Sequence, residues 1–346
     1  MTYPIPGRDE EFKGTITALY WQELDRAPDP GGMAAYLQAA QYGATGEDIR
    51  DCLHDSEEGR AKRARPVVPP APHLEVRGND FVDATGKRIS LCGCDGFLDF
   101  RMWLNKSEAL EGLLQESRRY GFVVRRVFLQ GSIAQNTVMD LWPQREDRYY
   151  EALASFVAYE NAHGIIPLLT VNVDSQDVMP HLPDRLTHWR MVTDALRGRG
   201  SYLLSYGNEA FKNGFNGIEA TDPGDGVIWS RGSGQMDETI LPRGATAAEI
   251  HPVRGEDRTQ MDAVASPFTM RSRGCGMLWM DEPLGFASER EPGRRSNDPA
   301  LAWALGRLYA TYWALAIFHN SQGQRGQLME SVTATCAEAW VKGLNV

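Results

Sequence analysis

The chain has 346 residues, 42% hydrophobic and 24% charged, a composition that suits one large globular domain plus a smaller one. Its formal net charge of −10 argues against a nucleic-acid partner, because phosphate binding requires clustered lysine and arginine. No stretch approaches the roughly 20 apolar residues of a membrane span. The acidic start has no apolar core, so we expect neither a membrane span nor a signal peptide.

Helical spacing predicts a small all-α module over residues 1–63. Apolar side chains recur at helical intervals from Phe12 to Leu24, and two further helical patterns follow the prolines at 28 and 30. A distinctive set of positions runs through this segment: Tyr20, Leu24, Arg26, Pro28, Asp29, Pro30, Gly32, Tyr36, Gly43, Ile49, Ser56 and Glu57. The set resembles a helical domain of unknown function found in bacterial surface proteins and phage proteins. The resemblance implies no catalysis, so we expect an attachment or packing module, with other virion or cell-surface proteins as its partners.

A proline-rich stretch separates this module from the rest of the chain. Residues 64–73 contain four prolines, which favour an extended, semi-rigid linker. A second domain is therefore predicted over residues 74–346. It opens with a predicted hairpin whose turn lies at Ala84–Lys87.

Eight short apolar runs follow the hairpin, and helical patterns lie between most of them. The runs are SLCGC (90–94), FVVRRVFL (122–129), IIPLLTV (165–171), YLLSY (202–206), GVIWS (226–230), AAEIH (247–251), GMLWM (276–280) and LAIFH (315–319). This alternation indicates parallel βαβ units, and eight of them predict an α/β fold of the (β/α)8 TIM-barrel type. The fifth and sixth runs leave little room for a helix between them. A doubly wound open sheet is the alternative, although no GxGxxG turn follows the first run.

Two pairs of polar residues follow predicted barrel strands. Asn208 and Glu209 come directly after the fourth strand, and Asp281 and Glu282 after the seventh. Chemistry in such barrels is carried at the carboxyl ends of the strands. Two carboxylates from roughly opposite strands are what glycoside hydrolysis requires.

Several motifs occur in a particular order along residues 74–346. They are the arginine-bearing strand GFVVRRVFL, GNE after the fourth strand, HPVRG after the sixth, and a late glutamate after the seventh. Together they resemble the clan of retaining glycoside hydrolases that includes cellulases and mannanases. The resemblance implies that Glu209 is the catalytic acid/base and Glu282 the nucleophile.

The same resemblance implies roles for the residues that surround the two glutamates. Arg126 is expected beside Glu282, where a positive charge favours the ionised carboxylate. Asn208 is expected to bind the sugar 2-hydroxyl. His251 is expected to contact the nucleophile, while Trp229 and Trp279 are expected to act as sugar platforms.

Each assignment has a structural alternative. The alternatives are Asp281 in place of Glu282, a barrel-wall ion pair for Arg126, and core packing for His251, Trp229 and Trp279. Arg125 is expected to point away from the site, because neighbouring strand residues face opposite sides. Asn172 departs from the pattern of the clan, in which many members have a polar aromatic residue or a histidine at the end of the third strand.

The leading hypothesis is a glycoside hydrolase that cleaves a β-linked polysaccharide by a retaining double displacement. Its partner is a polysaccharide or oligosaccharide outside the cell, and no cofactor or metal is expected. The alternative is a non-catalytic glycan-binding or structural protein, of a phage tail or baseplate type, built on a degenerate hydrolase barrel. A metal-dependent hydrolase is weaker, because HxH and HExxH are absent and Cys92 with Cys94 has no second ligand pair.

Overall fold

The computed structural model divides the chain into two compact units, Met1–Val67 and Val68–Val346. The residues that the structure describes are 8–24, 28–64, 74–78, 80–83, 85–130, 132–133, 136–137, 146–173, 179, 181–208, 220–224, 226–234, 245–250, 277–280, 298–312, 314–318, 321–324 and 326–345. Most of the predicted linker lies outside them.

The described part of the first unit consists of helices. They are α1 (Arg8–Leu24), α2 (Pro30–Gln41), α3 (Gly46–Asp55) and α4 (Glu57–Ala64). Helix α2 begins where Asp29 accepts a hydrogen bond from the Gly32 amide (2.8 Å), with Pro30 in its first turn. Ile16, Tyr20 and other apolar residues of α1 form the core of this unit with residues of α2 and α3.

A break at Ser56 divides what the helical pattern predicts as one helix into α3 and α4. The Ser56 side chain donates to the Leu53 carbonyl (2.6 Å) and accepts from the Gly59 amide (3.0 Å). Its hydroxyl thus closes one helix and caps the next. The prediction of a single helix here was wrong.

A three-stranded antiparallel sheet opens the second unit. Its strands are β1 (Glu75–Arg77), β2 (Asp80–Val82) and β3 (Arg88–Ile89). The predicted hairpin is confirmed, because β2 pairs with β3 across the turn and the Asp83 amide donates to the Lys87 carbonyl. Strand β1 was not predicted, and it pairs with β2.

Eight parallel strands then form a closed barrel. They are β4 (Leu91–Asp95), β5 (Val124–Phe128), β8 (Ile166–Asn172), β9 (Leu203–Gly207), β10 (Trp229–Gly234), β11 (Ala247–Ile250), β12 (Met277–Met280) and β13 (Leu315–Phe318). Each pairs with the next in the chain, and β13 closes on β4. Two short strands, β6 (Ser132–Ile133) and β7 (Asn136–Thr137), form a separate hairpin. A barrel strand overlaps each of the eight predicted runs, although β10 begins at Trp229 and shares only two residues with the run 226–230.

Alternate residues of the barrel strands belong to different cores. Leu91, Val124 and Leu203 belong to an apolar cluster inside the barrel, with Leu315 and Ile317 from the last strand. The intervening residues face outward, where Cys92 and Cys94 pack in one cluster with residues of the last helices. The two thiols therefore lie on one face of the strand.

Helices cover part of the outer surface of the barrel. They are α5 (Asp99–Leu104), α6 (Ala109–Tyr120), α7 (Glu146–Ala162), α8 (Leu182–Leu196), α9 (Pro299–Tyr312), α10 (Ser321–Gln324) and α11 (Ser331–Leu344). Helix α5 was not predicted. The fold is an α/β barrel of TIM type, and between β9 and β12 the described residues include no helix. In the described parts of the chain, no helix is long and apolar enough to cross a bilayer.

Candidate active site

Polar side chains gather inside the barrel towards the carboxyl ends of its strands. Alternate residues of each strand face the inside of the barrel. Some of these inward positions are apolar, and others are the polar residues Asp95, Arg126, Asn172, Ser230 and Glu249, all five of them buried. Buried polar groups require partners, so hydrogen bonds contribute to the organisation of this end of the barrel.

Arg126 lies at the centre of this polar layer and is completely buried. Its Nη2 atom donates to Oδ1 of Asn208 over 3.0 Å and lies 3.5 Å from Oε1 of Glu249. The guanidinium carbon also lies 5.1 Å from the ring centre of Phe128 and 5.8 Å from that of Phe97. The two rings stack on each other with their centres 3.8 Å apart, and this stacked pair makes a cation–π contact with the guanidinium. The structure thus brings together two of the predicted site residues, Arg126 and Asn208.

Glu249 is a buried carboxylate that the sequence analysis did not single out. Its side chain is 2% exposed, and the Ser230 hydroxyl donates to Oε2 over 2.5 Å. The signal was present in the run AAEIH, because a strand that buries Ala247 inside the barrel must also direct Glu249 inward. Arg126 therefore has an ion-pair partner in this layer other than the predicted Glu282.

The backbone around Asn208 is held by its neighbour on β8. The Asn208 amide donates to the Asn172 carbonyl (2.9 Å), and the Asn172 side chain donates to the Tyr206 carbonyl (3.0 Å). The Gln130 side chain donates to Oδ1 of Asn172 over 2.9 Å. Asn172, which departs from the pattern of the clan, thus fixes the end of β9 next to Asn208.

Arg125 points to the opposite side of β5, as predicted. Its guanidinium bonds both carboxyl oxygens of Asp99, at 2.5 and 2.9 Å, and donates to the Ser117 hydroxyl at 2.6 Å. Burial raises the pKa of Asp99, while the positive charge of Arg125 opposes that rise. Burial, followed by the charge of Asp99, raises the pKa of Glu160 well above its usual range. We call Asp99, Arg125 and Glu160 the outer ion cluster, and it lies behind the barrel wall.

The two tryptophans proposed as sugar platforms are both 1% exposed. The Trp229 ring lies 5.6 Å from that of Trp189 in the core between strands and helices, and the guanidinium of Arg231 lies over it. Trp279 belongs to the apolar cluster inside the barrel. A sugar platform requires an exposed ring face, so both rings occupy core positions, the alternative interpretation of the sequence.

Glu209, Glu282 and His251 lie outside the described residues. Strand β9 ends at Gly207, β11 at Ile250 and β12 at Met280, one or two positions before these three residues. Their assignments stay predictions.

Neither a protein-family model nor a curated protein sequence matches the chain. Its fold is shared with solved glycoside hydrolases. A family 5 glycoside hydrolase from Bacteroides vulgatus matches with a TM-score of 0.53 at 10% identity, over 71% of this chain and 62% of that one. A β-glucanase from Saccharophagus degradans matches at 0.56 and 13% identity, over 80% and 95%. An exo-β-1,4-mannosidase from Opitutaceae bacterium strain TAV5 matches at 0.51 and 12% identity, over 77% and 62%.

At these identities the likeness concerns the fold. The chain spans less than two thirds of the length of the Bacteroides vulgatus enzyme and of the mannosidase. The β-glucanase has also been solved in complex with cellotetraose, which identifies an oligosaccharide ligand of that enzyme.

Proposed function

We propose that this chain is a glycoside hydrolase that cleaves a β-linked polysaccharide by a retaining double displacement, with Glu209 as acid/base and Glu282 as nucleophile. The observation that carries the proposal is the hydrogen bond from Arg126 to Asn208. It joins two residues named by the resemblance, from β5 and from the residue after β9, inside a barrel shared with glycoside hydrolases.

The position of Asn208 supports the role of its neighbour. Glu209 follows Asn208 directly in the chain, so their Cα atoms are about 3.8 Å apart across a trans peptide. The Asn208 backbone is fixed by Asn172, and its side chain by Arg126. A rigidly held amide next to the acid can form a hydrogen bond to a sugar hydroxyl that strengthens as positive charge develops on the ring.

The proposed reaction has two steps. Glu282 attacks the anomeric carbon while Glu209 gives its proton to the departing glycosidic oxygen, and a glycosyl ester forms on Glu282. Glu209 then removes a proton from water, which attacks the same carbon and releases Glu282. Two inversions leave the configuration of the anomeric carbon unchanged.

The test is the release of reducing sugar from a panel of β-glucan, carboxymethyl-cellulose, mannan and xylan. We expect the native chain to cleave at least one of them, and Glu209→Gln to lower turnover by about 10²–10⁴-fold. Glu282→Gln should abolish turnover, while the matched variant Asp281→Asn should retain it. Proton NMR of the first product should show the retained anomer.

Three results would contradict the proposal. Loss of activity in Asp281→Asn but not in Glu282→Gln would identify Asp281, rather than Glu282, as the nucleophile. An inverted first product would exclude double displacement. Binding of oligosaccharide with no cleavage by the native chain would favour the non-catalytic alternative.

A further inference from the structure

Glu249 offers each of its two carboxyl oxygens to a different partner. Oε1 lies 3.5 Å from Nη2 of Arg126, and Oε2 accepts from the Ser230 hydroxyl. We infer that Glu249 is a positioning residue for the proposed reaction: it holds the Arg126 guanidinium, which in turn orients the amide of Asn208. This inference rests on the proposed function.

The ion pair of Arg126 and Glu249 is buried. Arg126 is fully buried and Glu249 is 2% exposed, so each charge has lost nearly all contact with water. A buried charge whose partner is removed is strongly destabilising, and its side chain moves towards whatever other partner it can find. Glu249 therefore determines where the guanidinium rests, and the Ser230 hydroxyl determines the rotation of the carboxylate.

The hydrogen bond from Arg126 fixes the direction of the Asn208 amide. A primary amide has an acceptor end, Oδ1, and a donor end, Nδ2. Because Arg126 donates to Oδ1, the donor end is turned away from Arg126. Asn208 then presents N–H groups, and these suit a sugar hydroxyl that accepts. Loss of Glu249 frees Arg126 to move and removes this constraint on the amide.

Arg126 and Glu249 carry opposite charges. Arg126 is the positive charge that the resemblance to retaining glycoside hydrolases implies beside Glu282, and the negative charge of Glu249 offsets it. Among the described residues, the carboxyl group of Asp95 at the end of β4 also faces this layer. Replacing Glu249 with a neutral isostere leaves the full charge of Arg126 to act on its surroundings.

The test compares Glu249→Gln with Glu160→Gln. Both variants replace a buried carboxyl group near an arginine of β5 with a neutral amide, but Glu160 belongs to the outer ion cluster behind the barrel wall. We expect Glu249→Gln to extend activity to lower pH, with the acidic limb of kcat/KM shifted down by about one pH unit. It should also lower kcat more than it changes KM, since the Asn208 contact acts in the transition state. Glu160→Gln should leave the acidic limb of the pH profile of kcat/KM unchanged.

A second measurement does not depend on turnover. The carboxyl carbons of 13C-labelled glutamate are titrated by NMR, and the signal of Glu282 is assigned by its loss in Glu282→Gln. We expect this signal to titrate at lower pH in Glu249→Gln than in the native chain. A structural role alone would leave its midpoint unchanged while lowering the melting temperature.

The two proposals fail in different ways. If the native chain is active and neither the acidic limb nor the Glu282 signal moves in Glu249→Gln, the inference is overturned and the function stands. If no polysaccharide is cleaved, the proposed function fails, and the NMR midpoint alone decides whether Glu249 controls the charge at Glu282. An equal shift in Glu160→Gln would also overturn the inference, because the effect would then not be specific to the barrel mouth.

Discussion

Replacement of Arg125 by methionine tests whether the outer ion cluster is structural. The guanidinium of Arg125 makes two hydrogen bonds to Asp99 and one to Ser117, and the exposed fractions of Arg125 and Asp99 are 2% and 0%. Methionine restores much of the volume but leaves the Asp99 carboxylate buried without its cation. Loss of one member of a buried pair costs about 3–5 kcal/mol. At about 2–4 °C per kcal/mol for a large domain, the melting temperature should fall by about 6–20 °C.

The assay is thermal unfolding followed by circular dichroism, alongside activity measured well below the transition. We expect Arg125→Met to lose stability but to keep its turnover per folded molecule, because Arg125 faces away from the barrel interior. Adding Asp99→Asn should recover part of the loss, since it removes the uncompensated charge. A melting temperature within about 2 °C of the native value would refute the argument, as would losses that simply add in the double variant.

Three further predictions concern the helices, the pH response and the domain boundary. The pKa of Glu160 is raised in the folded chain above its ordinary value of 4.5. The contribution of this carboxyl group to folding stability is therefore complete below pH 4.5 and is lost as pH rises. Glu160→Gln should therefore gain stability over the native chain in urea unfolding as pH rises from 4.5 to neutrality. Gly343→Ala should destabilise the folded chain by about 1–3 kcal/mol, because the added Cβ would lie 2.1 Å from a backbone oxygen of α9. Gly112→Ala is the control, since a Cβ there would meet no neighbouring group within 4 Å. In the same denaturation assay this variant should be as stable as the native chain or more stable. Limited proteolysis should cut first within residues 64–73 and leave a resistant fragment. Mass spectrometry should show that this fragment begins near His73. First cuts inside the barrel strands would contradict this domain boundary.

The barrel strands were predictable from the sequence because a parallel strand covered on both faces is a short apolar run. Each of the eight runs, from 90–94 to 315–319, overlaps a strand of the barrel. Helix α5 was missed, because its six residues are too few to show a helical period. The break at Ser56 was missed because a single hydroxyl, rather than a change in hydrophobic pattern, separates the two helices.

The site was predictable only where sequence motifs mark it. Arg126 and Asn208 were named from the resemblance, and the structure joins them by a hydrogen bond. The opposite orientations of Arg125 and Arg126 followed from strand alternation alone. Glu249 was missed because its importance comes from pairing with Arg126, more than a hundred positions away in the chain, and neither spacing nor composition encodes which strands meet across a barrel.

Closure of the barrel has a consequence for how the chain is made. Strand β13 pairs with β4, and the Ser90 hydroxyl donates to the Ala310 carbonyl over a separation of 220 residues. At synthesis rates of about 5–20 residues per second, roughly 10–45 s pass between the synthesis of β4 and that of β13, its second neighbour in the barrel. Throughout that interval one edge of β4 exposes unpaired backbone groups, the kind of surface that recruits other chains. Slower translation or higher expression should therefore increase aggregation of nascent chains without any change in the stability of the finished fold.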